Sequence, residues 1–264
     1  MKAAGHRVRL VPARHGEEAL SKVVTADSVV FLAVPDGAVS DYSAALARCS
    51  MPQGVSVVHV SGALALSALE PLRSRHAVGS FHPLQSFPEL RRPNAFQGIT
   101  VAVDASTPAL RRWLARLARN IGARPRYVDD DHRALYHASA VFASNYVIAV
   151  VGEGVRVLEA AGWSSSEAQR ALIPLVEGVV ANLRKRGTAG ALTGPIRRGD
   201  AETVERHLRA LHGLSTPQPE ATYRMLGTVT LEIAQEAGLQ PAAAQRIKRA
   251  LTRKVAATRR RGRS

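Results

Sequence analysis

The stretch SVVFLAVPDG, residues 28–37, sets the fold class of this 264-residue chain. Residues 29–34 are all apolar, and a proline, an aspartate and a glycine follow them. A run that is apolar on both faces is typical of a strand in a parallel sheet that helices cover on both sides. Comparable runs occur at residues 7–11, 55–60, 77–81, 99–103 and 124–128. Because helix-like segments lie between these runs, at 16–24, 38–47, 65–75 and 107–121, the pattern predicts an α/β domain.

The pattern changes after the acidic triplet at residues 129–131. Beyond it the β-branched runs disappear, and we predict helices at 131–161, 165–185, 200–212, 216–237 and 241–256. We therefore predict an α/β domain over 1–127. An all-helical domain follows over 128–256, and residues 257–264 form a basic tail.

Composition excludes several classes of protein. The formal net charge is +15, but residues 246–263 carry nine Lys or Arg and no Asp or Glu, so the rest of the chain is only mildly basic. The single cysteine, Cys49, excludes a disulfide within the chain and any site with several cysteine ligands. The histidines show no metal-ligand spacing, so we expect no metal. Because no signal peptide and no apolar run of about 18 residues is recognised, we expect a cytoplasmic protein without a membrane contact.

Two segments point to a bound nucleotide. Ala33, Val34, Pro35 and Asp36 end the most apolar strand, and in an open parallel sheet ligands gather at the carboxyl ends of strands. A plain turn between a strand and a helix would look similar. Arg14 follows the predicted strand at 7–11, where the adenosine ribose would lie. A cation there suits a 2′-phosphate, so NADP is favoured over NAD, although an ordinary solvated arginine is the alternative.

The usual phosphate-binding turn is missing from this sequence. A dinucleotide site begins with a strand and a G-x-G-x-x-G turn, and nothing before residue 7 supplies either element. Residues 2–8 instead resemble the end of the helix that normally follows that turn. Two interpretations stay open: the chain is truncated at its start, or the protein has lost this turn.

Two further strand ends carry polar groups. Ser61 and Gly62 follow the run at 55–60 and can present a hydroxyl and backbone N–H groups to an anionic substrate, although a bare turn is an equal alternative. His82 follows the run at 77–81 and is a candidate proton donor, because the unperturbed pKa of histidine is near neutrality. A structural histidine bonded to the backbone is the alternative interpretation.

The first helix after the boundary supplies two more candidate catalytic residues. His137 and Asn145 fall on one face of the predicted helix, about 12 Å apart along its axis, so both can line one elongated cleft. The many small residues around them favour close packing against a neighbour as the alternative. A later break at residues 192–200 contains Asp200, which can cap the next helix, and can equally form a functional loop that reaches a partner subunit.

Several of these segments together resemble a known family, the Rossmann-like oxidoreductase-type proteins with a C-terminal helical domain of unknown function. The resemblance rests on FLAVPD (31–36), HVSGA (59–63), SFHPLQSF (80–87), LYHASAVFASNY (135–146) and LTGPIRRGD (192–200). It implies an NAD(P)-binding domain followed by a helical domain similar to the dimerisation domains of 6-phosphogluconate and β-hydroxyacid dehydrogenases, and hence a homodimer.

The resemblance also implies roles for particular residues. In the wider superfamily a Ser-Gly turn similar to Ser61-Gly62 binds substrate, and a helix similar to residues 135–146 carries a catalytic lysine four residues before an asparagine. Here Val141 occupies the position four residues before Asn145, and valine cannot transfer a proton. We therefore assign proton transfer to His82 or His137.

These observations predict an NADP-dependent oxidoreductase that acts on a small polar or anionic substrate in a cleft between the two domains. Hydride chemistry belongs to such a cofactor, and the protein supplies orientation and one proton. Two alternatives stay open. One is a dimer that binds or senses a nucleotide without turnover. The other is a nucleic-acid binder that acts through the basic tail, for which positive charge alone gives salt-dependent binding without sequence preference.

Overall fold

The computed structural model describes residues 5–12, 19–20, 22–87 and 93–253. The chain divides into two compact units, Met1–Tyr146 and Val147–Ser264, which we call the sheet unit and the helical unit. The predicted domain boundary near residue 127 stays a prediction. The first helix after the sheet belongs to the sheet unit. Arg14, residues 16–18 and 21 of the predicted helix at 16–24, and the basic tail at 257–264 lie outside the described residues.

The sheet unit contains a five-stranded sheet whose strands lie side by side in sequence order. The strands are β1 (Val29–Leu32), β2 (Ser56–His59), β3 (Ala77–Pro83), β4 (Thr100–Ala105) and β5 (Arg124–Tyr127). Neighbouring strands are parallel except β3 and β4, which are antiparallel. In the register, Val57 lies between Val30 and Val78. A mainly parallel sheet followed by helices confirms the predicted fold class.

Two details differ from the sequence-based expectations for the sheet. Residues 7–11 form no strand, because they pair with none of the described strands, and Leu10 is left 89% exposed. The antiparallel β4 was not expected. The described part of the connection from β3 to β4 holds only a 3-10 turn, Pro93–Phe96, and no helix long enough for the crossover that a parallel pair requires.

Helices cover both faces of the sheet. On one face, α1 (Asp36–Arg48) and the 3-10 helix Leu66–Leu72 pack over buried residues of β1, β2 and β3. On the other face, α2 (Pro108–Asn120) packs over β3 and β4, and the Thr107 hydroxyl caps its first turn by accepting from the N–H of Leu110. The segment predicted as a helix at 65–75 is a short 3-10 helix, and Pro71 within it lacks the N–H that a longer α-helix needs.

The predicted helix at 131–161 is two helices, α3 (Asp130–Ala143) and α4 (Asn145–Ala160). The backbone leaves helical geometry at Ser144, whose hydroxyl donates to the carbonyl of Ala140 at 2.7 Å and to Oδ1 of Asn145 at 2.9 Å. Serine side chains that bond to the preceding turn bend helices, which explains the break.

The remaining helices belong to the helical unit. They are α5 (Ser165–Ala191), α6 (Gly194–Arg198), α7 (Ala201–His212), α8 (Gln218–Glu236) and α9 (Pro241–Thr252). Ser164 and Glu167 form a reciprocal capping box at the start of α5, and Asp200 caps α7, as their positions in the sequence predict. The core of this unit lies among α6, α7, α8 and α9, around Val204, Leu208 and Ile247.

Large apolar side chains remain exposed on three helices of the helical unit, and α4 contains no buried residue at all. We call them the exposed apolar residues: Val147, Ile148 and Val150 of α4, Ile173, Leu175, Val179, Val180 and Leu183 of α5, and Met225, Leu226 and Val229 of α8. The stretch 130–160 is also long and apolar enough to cross a membrane by length and composition, which corrects the expectation that no such run exists.

Candidate functional site

Three strand ends of the sheet unit converge at one edge of the sheet. Ser61, after β2, donates its hydroxyl hydrogen to Oδ2 of Asp36 after β1, at 2.8 Å. The hydroxyl oxygen of Ser61 in turn accepts from the N–H groups of Ala63 and Leu64, each at 3.1 Å. The hydroxyl of Ser61 is therefore fully used in joining two strand ends, and Ser61 is buried. Its predicted contact with substrate stays a prediction.

The absence of a side chain at Gly62 allows two histidine rings to approach this turn. A Cβ at residue 62 would lie 2.8 Å from Nε2 of His82 and 2.9 Å from Nδ1 of His137. Such distances are shorter than any normal contact, so only glycine fits here without moving the rings. The structure thus brings together Gly62, His82 and His137, three of the residues that the sequence singled out.

Tyr136 completes this group, and sequence reasoning missed it. Its hydroxyl lies 2.8 Å from Nδ1 of His82, and the two rings meet edge to face. The ring of His137 is the next neighbour of His82, with centroids 6.3 Å apart. Tyr136 precedes His137 directly in the sequence, but nothing in the local pattern shows that α3 packs against the end of β3. We call Gly62, His82, Tyr136 and His137 the histidine site.

Arg133, a buried residue of α3 one turn before the histidine site's Tyr136 and His137, was also missed. Its side chain is only 1% exposed, and its guanidinium donates to the Ser80 hydroxyl at 2.8 Å and to the Val128 carbonyl at 3.0 Å. It forms ion pairs with Asp130 at 3.5 Å and with the buried Asp104 at 4.0 Å. A buried guanidinium needs such partners, and here they join α3 to β3 and β4.

The surroundings of the site keep His82 and Tyr136 uncharged at neutral pH. Burial, helped by the nearby His137 and by the charge of Arg133, lowers the pKa of His82 to about 4. Burial raises the pKa of Tyr136 to about 12. His82 is therefore a neutral imidazole at pH 7 that can accept a proton, and Tyr136 keeps its hydroxyl hydrogen.

His59 lies at the end of β2 and is completely buried. Neither ring nitrogen has a hydrogen-bond partner among the described residues. Burial, followed by the charge of Arg133, lowers the pKa of His59 to about 4. The unpaired, neutral ring makes His59 a source of acid sensitivity, because its protonation requires unfolding or rearrangement.

We expect the sheet unit to lose stability as the pH falls from 6.5 towards 4. In this window His59 binds a proton in the unfolded chain, where its pKa is near 6.5, but not in the folded chain, where its pKa is about 4. Protonation therefore favours the unfolded state. At pH 4.5 the expected loss from His59 is about 2–3 kcal/mol. Urea unfolding at pH 7 and pH 4.5, followed by Trp113 fluorescence in a Trp163→Phe background, measures this loss.

The variant His59→Leu should remove that part of the pH dependence. The control is His132→Gln. The hydrogen bond with Asp129 raises the pKa of the exposed His132, so protonation of His132 favours the folded state as the pH falls. Removing His132 should therefore not reduce the loss of stability at acid pH. An unchanged acid loss in His59→Leu would show that His59 is not its source.

Asn145 does not share a helical face with His137, because the two residues lie on different helices. It is the first residue of α4, beyond the break at Ser144, and its Oδ1 accepts from the Ser144 hydroxyl. Within the described part of the chain, no hydrogen bond joins Asn145 to His82, Tyr136 or His137. Its predicted catalytic role is therefore untested by this geometry.

The end of β1 is open enough for part of a dinucleotide. Ala33, Pro35, Asp36 and Gly37 are exposed, and a Cβ at Gly37 would have no atom within 4 Å, so a planar ring or a sugar can approach the backbone. Within residues 5–12, 19–20 and 22–87 there is no glycine-rich turn, and α1 begins with the carboxylate of Asp36, which repels phosphate at a helix N-terminus. The described residues at the end of β1 leave room for a ring or a sugar, and they include no glycine-rich turn that would bind the pyrophosphate.

Comparisons with solved structures support the fold. A protein from Thermotoga maritima superposes with a TM-score of 0.68 at 24% identity, covering 81% of this chain and 81% of that chain. A protein from Bacteroides fragilis, provisionally assigned as an NADP oxidoreductase, gives 0.65 at 21% identity, covering 82% and 78%. At these identities the likeness shows the fold alone.

Family models account for both parts of the chain, and no curated protein matches the sequence. A Rossmann-like domain matches residues 6–83. The domain of unknown function DUF2520 matches residues 99–230, which begin just before β4 and end within α8. The resemblance found in the sequence is thus confirmed. Because the second match covers half of the chain, this protein belongs to the DUF2520 family, and its DUF2520 domain follows a Rossmann-like domain.

Proposed function

We propose that this protein is a nicotinamide-dinucleotide-dependent oxidoreductase that prefers NADP and acts on a small polar or anionic substrate. The observation that carries the proposal is the convergence of His82, Tyr136 and His137 over Gly62, at the sheet edge where the open end of β1 also lies. Ligands of Rossmann-like sheets bind at this edge. The preference for NADP rests on Arg14 and is a proposal from the sequence.

The residues of the histidine site can hold and move one proton. When Nδ1–H of His82 donates to the Tyr136 oxygen, the lone pair on Nε2 can accept a proton from a substrate hydroxyl or amine. When Tyr136 donates to Nδ1 instead, Nε2–H can donate to a carbonyl or imine. Both tautomers are neutral, in agreement with the lowered pKa of His82. The bound dinucleotide would supply or accept the hydride.

Cofactor binding and turnover test the proposal separately. We expect NADPH fluorescence to change on titration with the full chain, with tighter binding of NADPH than of NADH. With a panel of small hydroxy acids, amino acids and their oxidised counterparts, we expect turnover that falls more than tenfold in His82→Ala, because the proton acceptor is lost. The affinity for NADPH should change little in this variant. The matched control, His132→Ala, removes an exposed histidine from α3 and should keep the turnover.

A failure to bind NADPH or NADH at millimolar concentration would contradict the proposal. Binding without turnover of any substrate would favour a second function, a protein that senses a nucleotide. The observations that favour this alternative are Val141 at the position of the superfamily lysine and the occupied hydroxyl of Ser61.

We propose that the protein is a homodimer through the exposed apolar residues of the helical unit. Three helices carry them, and Ile148, Leu175 and Met225 are exposed by 74%, 64% and 63%. Eleven large apolar side chains left exposed on three helices of one folded unit favour an interaction site. Glu153 and Arg156 form an ion pair in the middle of α4, so a hydrocarbon environment would impose the cost of burying charges. A second copy of this chain can cover the apolar residues without placing this ion pair in hydrocarbon.

A further inference from the structure

The helical unit contains an open cavity of about 680 Å³ that the proposed function leaves unused. It lies between α6 and the turn that joins α8 to α9, and it includes most of the loop at 192–200 that the sequence singled out. A cavity of this size suits a small molecule. The lining residues are Leu192, Thr193, Gly194, Arg197, Arg198, Gly238, Leu239, Gln240 and Ala243.

The loop beside the cavity has a defined conformation. Gly199 ends α6 with a left-handed backbone (φ 72°), and a Cβ there would lie 2.8 Å from that of Ala243, so both the backbone and the packing require glycine. Ile196 is buried in the core of the unit. Asp200 caps α7 by accepting from the N–H and the hydroxyl of Thr203, at 3.0 and 2.7 Å. These contacts hold the cavity wall in place.

The charged side chains that line the cavity, Arg197 and Arg198, are both positive. No Asp or Glu lines the cavity. Arg197 is held by its hydrogen bond to the Ala237 carbonyl at 2.9 Å. Arg198 is exposed, and within the described residues it makes no hydrogen bond and no ion pair. Hydrogen bonds from Thr203, helped by the charge of Arg198, lower the pKa of the nearby Asp200, but no ion pair joins the two side chains, so the guanidinium N–H groups of Arg198 remain available. Thr193 and Gln240 add polar groups on the same wall.

We propose that this cavity binds a small molecule that carries a carboxylate or phosphate group, with Arg198 as the residue that pairs with the anion. A guanidinium presents a planar pair of N–H donors that matches the oxygens of either group. The apolar Leu192, Leu239 and Ala243 would contact the rest of the ligand. The proposal goes beyond the proposed oxidoreductase function, because it involves no residue of the histidine site.

Isothermal titration calorimetry of the full chain at low ionic strength tests this site without any dinucleotide. Inorganic phosphate and succinate are the two probes, and the one that binds more tightly identifies a phosphate-bearing or a carboxylate-bearing ligand. We expect Arg198→Gln to weaken binding at least tenfold. Gln240→Glu, which adds a carboxylate to the wall, should weaken binding several-fold without removing an arginine.

The matched control is Arg184→Gln, which removes the same charge from an exposed position on α5 outside the cavity. Its affinity should stay within about twofold of the unaltered protein, because a remote exposed charge is screened by solvent. Urea midpoints of all variants confirm that they are folded. Equal weakening by Arg198→Gln and Arg184→Gln, or no binding of either probe at millimolar concentration, would overturn the proposal.

Discussion

Replacing Arg133 by methionine is expected to lower the free energy of unfolding of the sheet unit by about 2–4 kcal/mol. The change removes a buried cation and leaves Asp104 and Ser80 without one of their partners. Asp104 keeps Arg111, at 3.5 Å, and the N–H of Ala105, so the loss falls below that of a carboxylate left entirely unpaired. Methionine has a similar length, so no large cavity adds to the loss.

Urea unfolding of Arg133→Met, followed by Trp113 fluorescence in a Trp163→Phe background, measures this effect. The matched control is Arg112→Met, which removes an exposed arginine from α2 and should change stability by less than about 0.5 kcal/mol. A loss in Arg133→Met no larger than in the control would show that the buried contacts of Arg133 contribute little.

The same variant has a second, electrostatic consequence. The charge of Arg133 helps to lower the pKa of both His59 and His82. We therefore expect both pKa values to rise in Arg133→Met, as measured by NMR titration of the histidine rings. Arg112→Met should leave them unchanged. This measurement distinguishes the charge of Arg133 from its purely structural role.

A glutamate at Ile148 is expected to raise the dissociation constant of the proposed homodimer at least hundredfold. Ile148 is the most exposed apolar residue of α4, and a carboxylate placed there would be buried without a partner in the interface. A penalty of about 3 kcal/mol corresponds to that factor. Sedimentation velocity over a range of protein concentrations measures the change from dimer to monomer.

Gln245→Glu is the control, because it adds the same charge to an exposed position of α9, where no large apolar residue is exposed. This variant should remain a dimer. An unaltered protein that is monomeric at every concentration would contradict the homodimer. If that monomer also sediments with lipid vesicles, the exposed apolar residues and the stretch 130–160 would instead mark a membrane contact.

Those features that depend on neighbours along the chain were predictable from the sequence. Strands β1 to β4 lie within mainly apolar runs, because such runs must be covered on both faces. β5 (Arg124–Tyr127) is the exception, since most of its residues are exposed. The caps at Thr107, Ser164 and Asp200 follow from one side chain and the backbone three residues later. The break at Ser144 is also local, but a serine within a long apolar helical pattern does not show in advance that its hydroxyl will bend the helix.

The composition of the histidine site depends instead on packing between distant segments. His82 was recognisable as a residue at a strand end, whereas Tyr136 and Arg133 lie more than 50 residues farther along the chain and reach β3 only because α3 packs there. The hydrogen bond from Ser61 to Asp36 and the antiparallel direction of β4 likewise depend on how distant segments pack. Local sequence patterns indicate which residues must be buried and which helix ends are capped. They do not indicate which residue forms the hydrogen bond with a buried polar group, because the choice of partner depends on how the strands and helices are arranged in space.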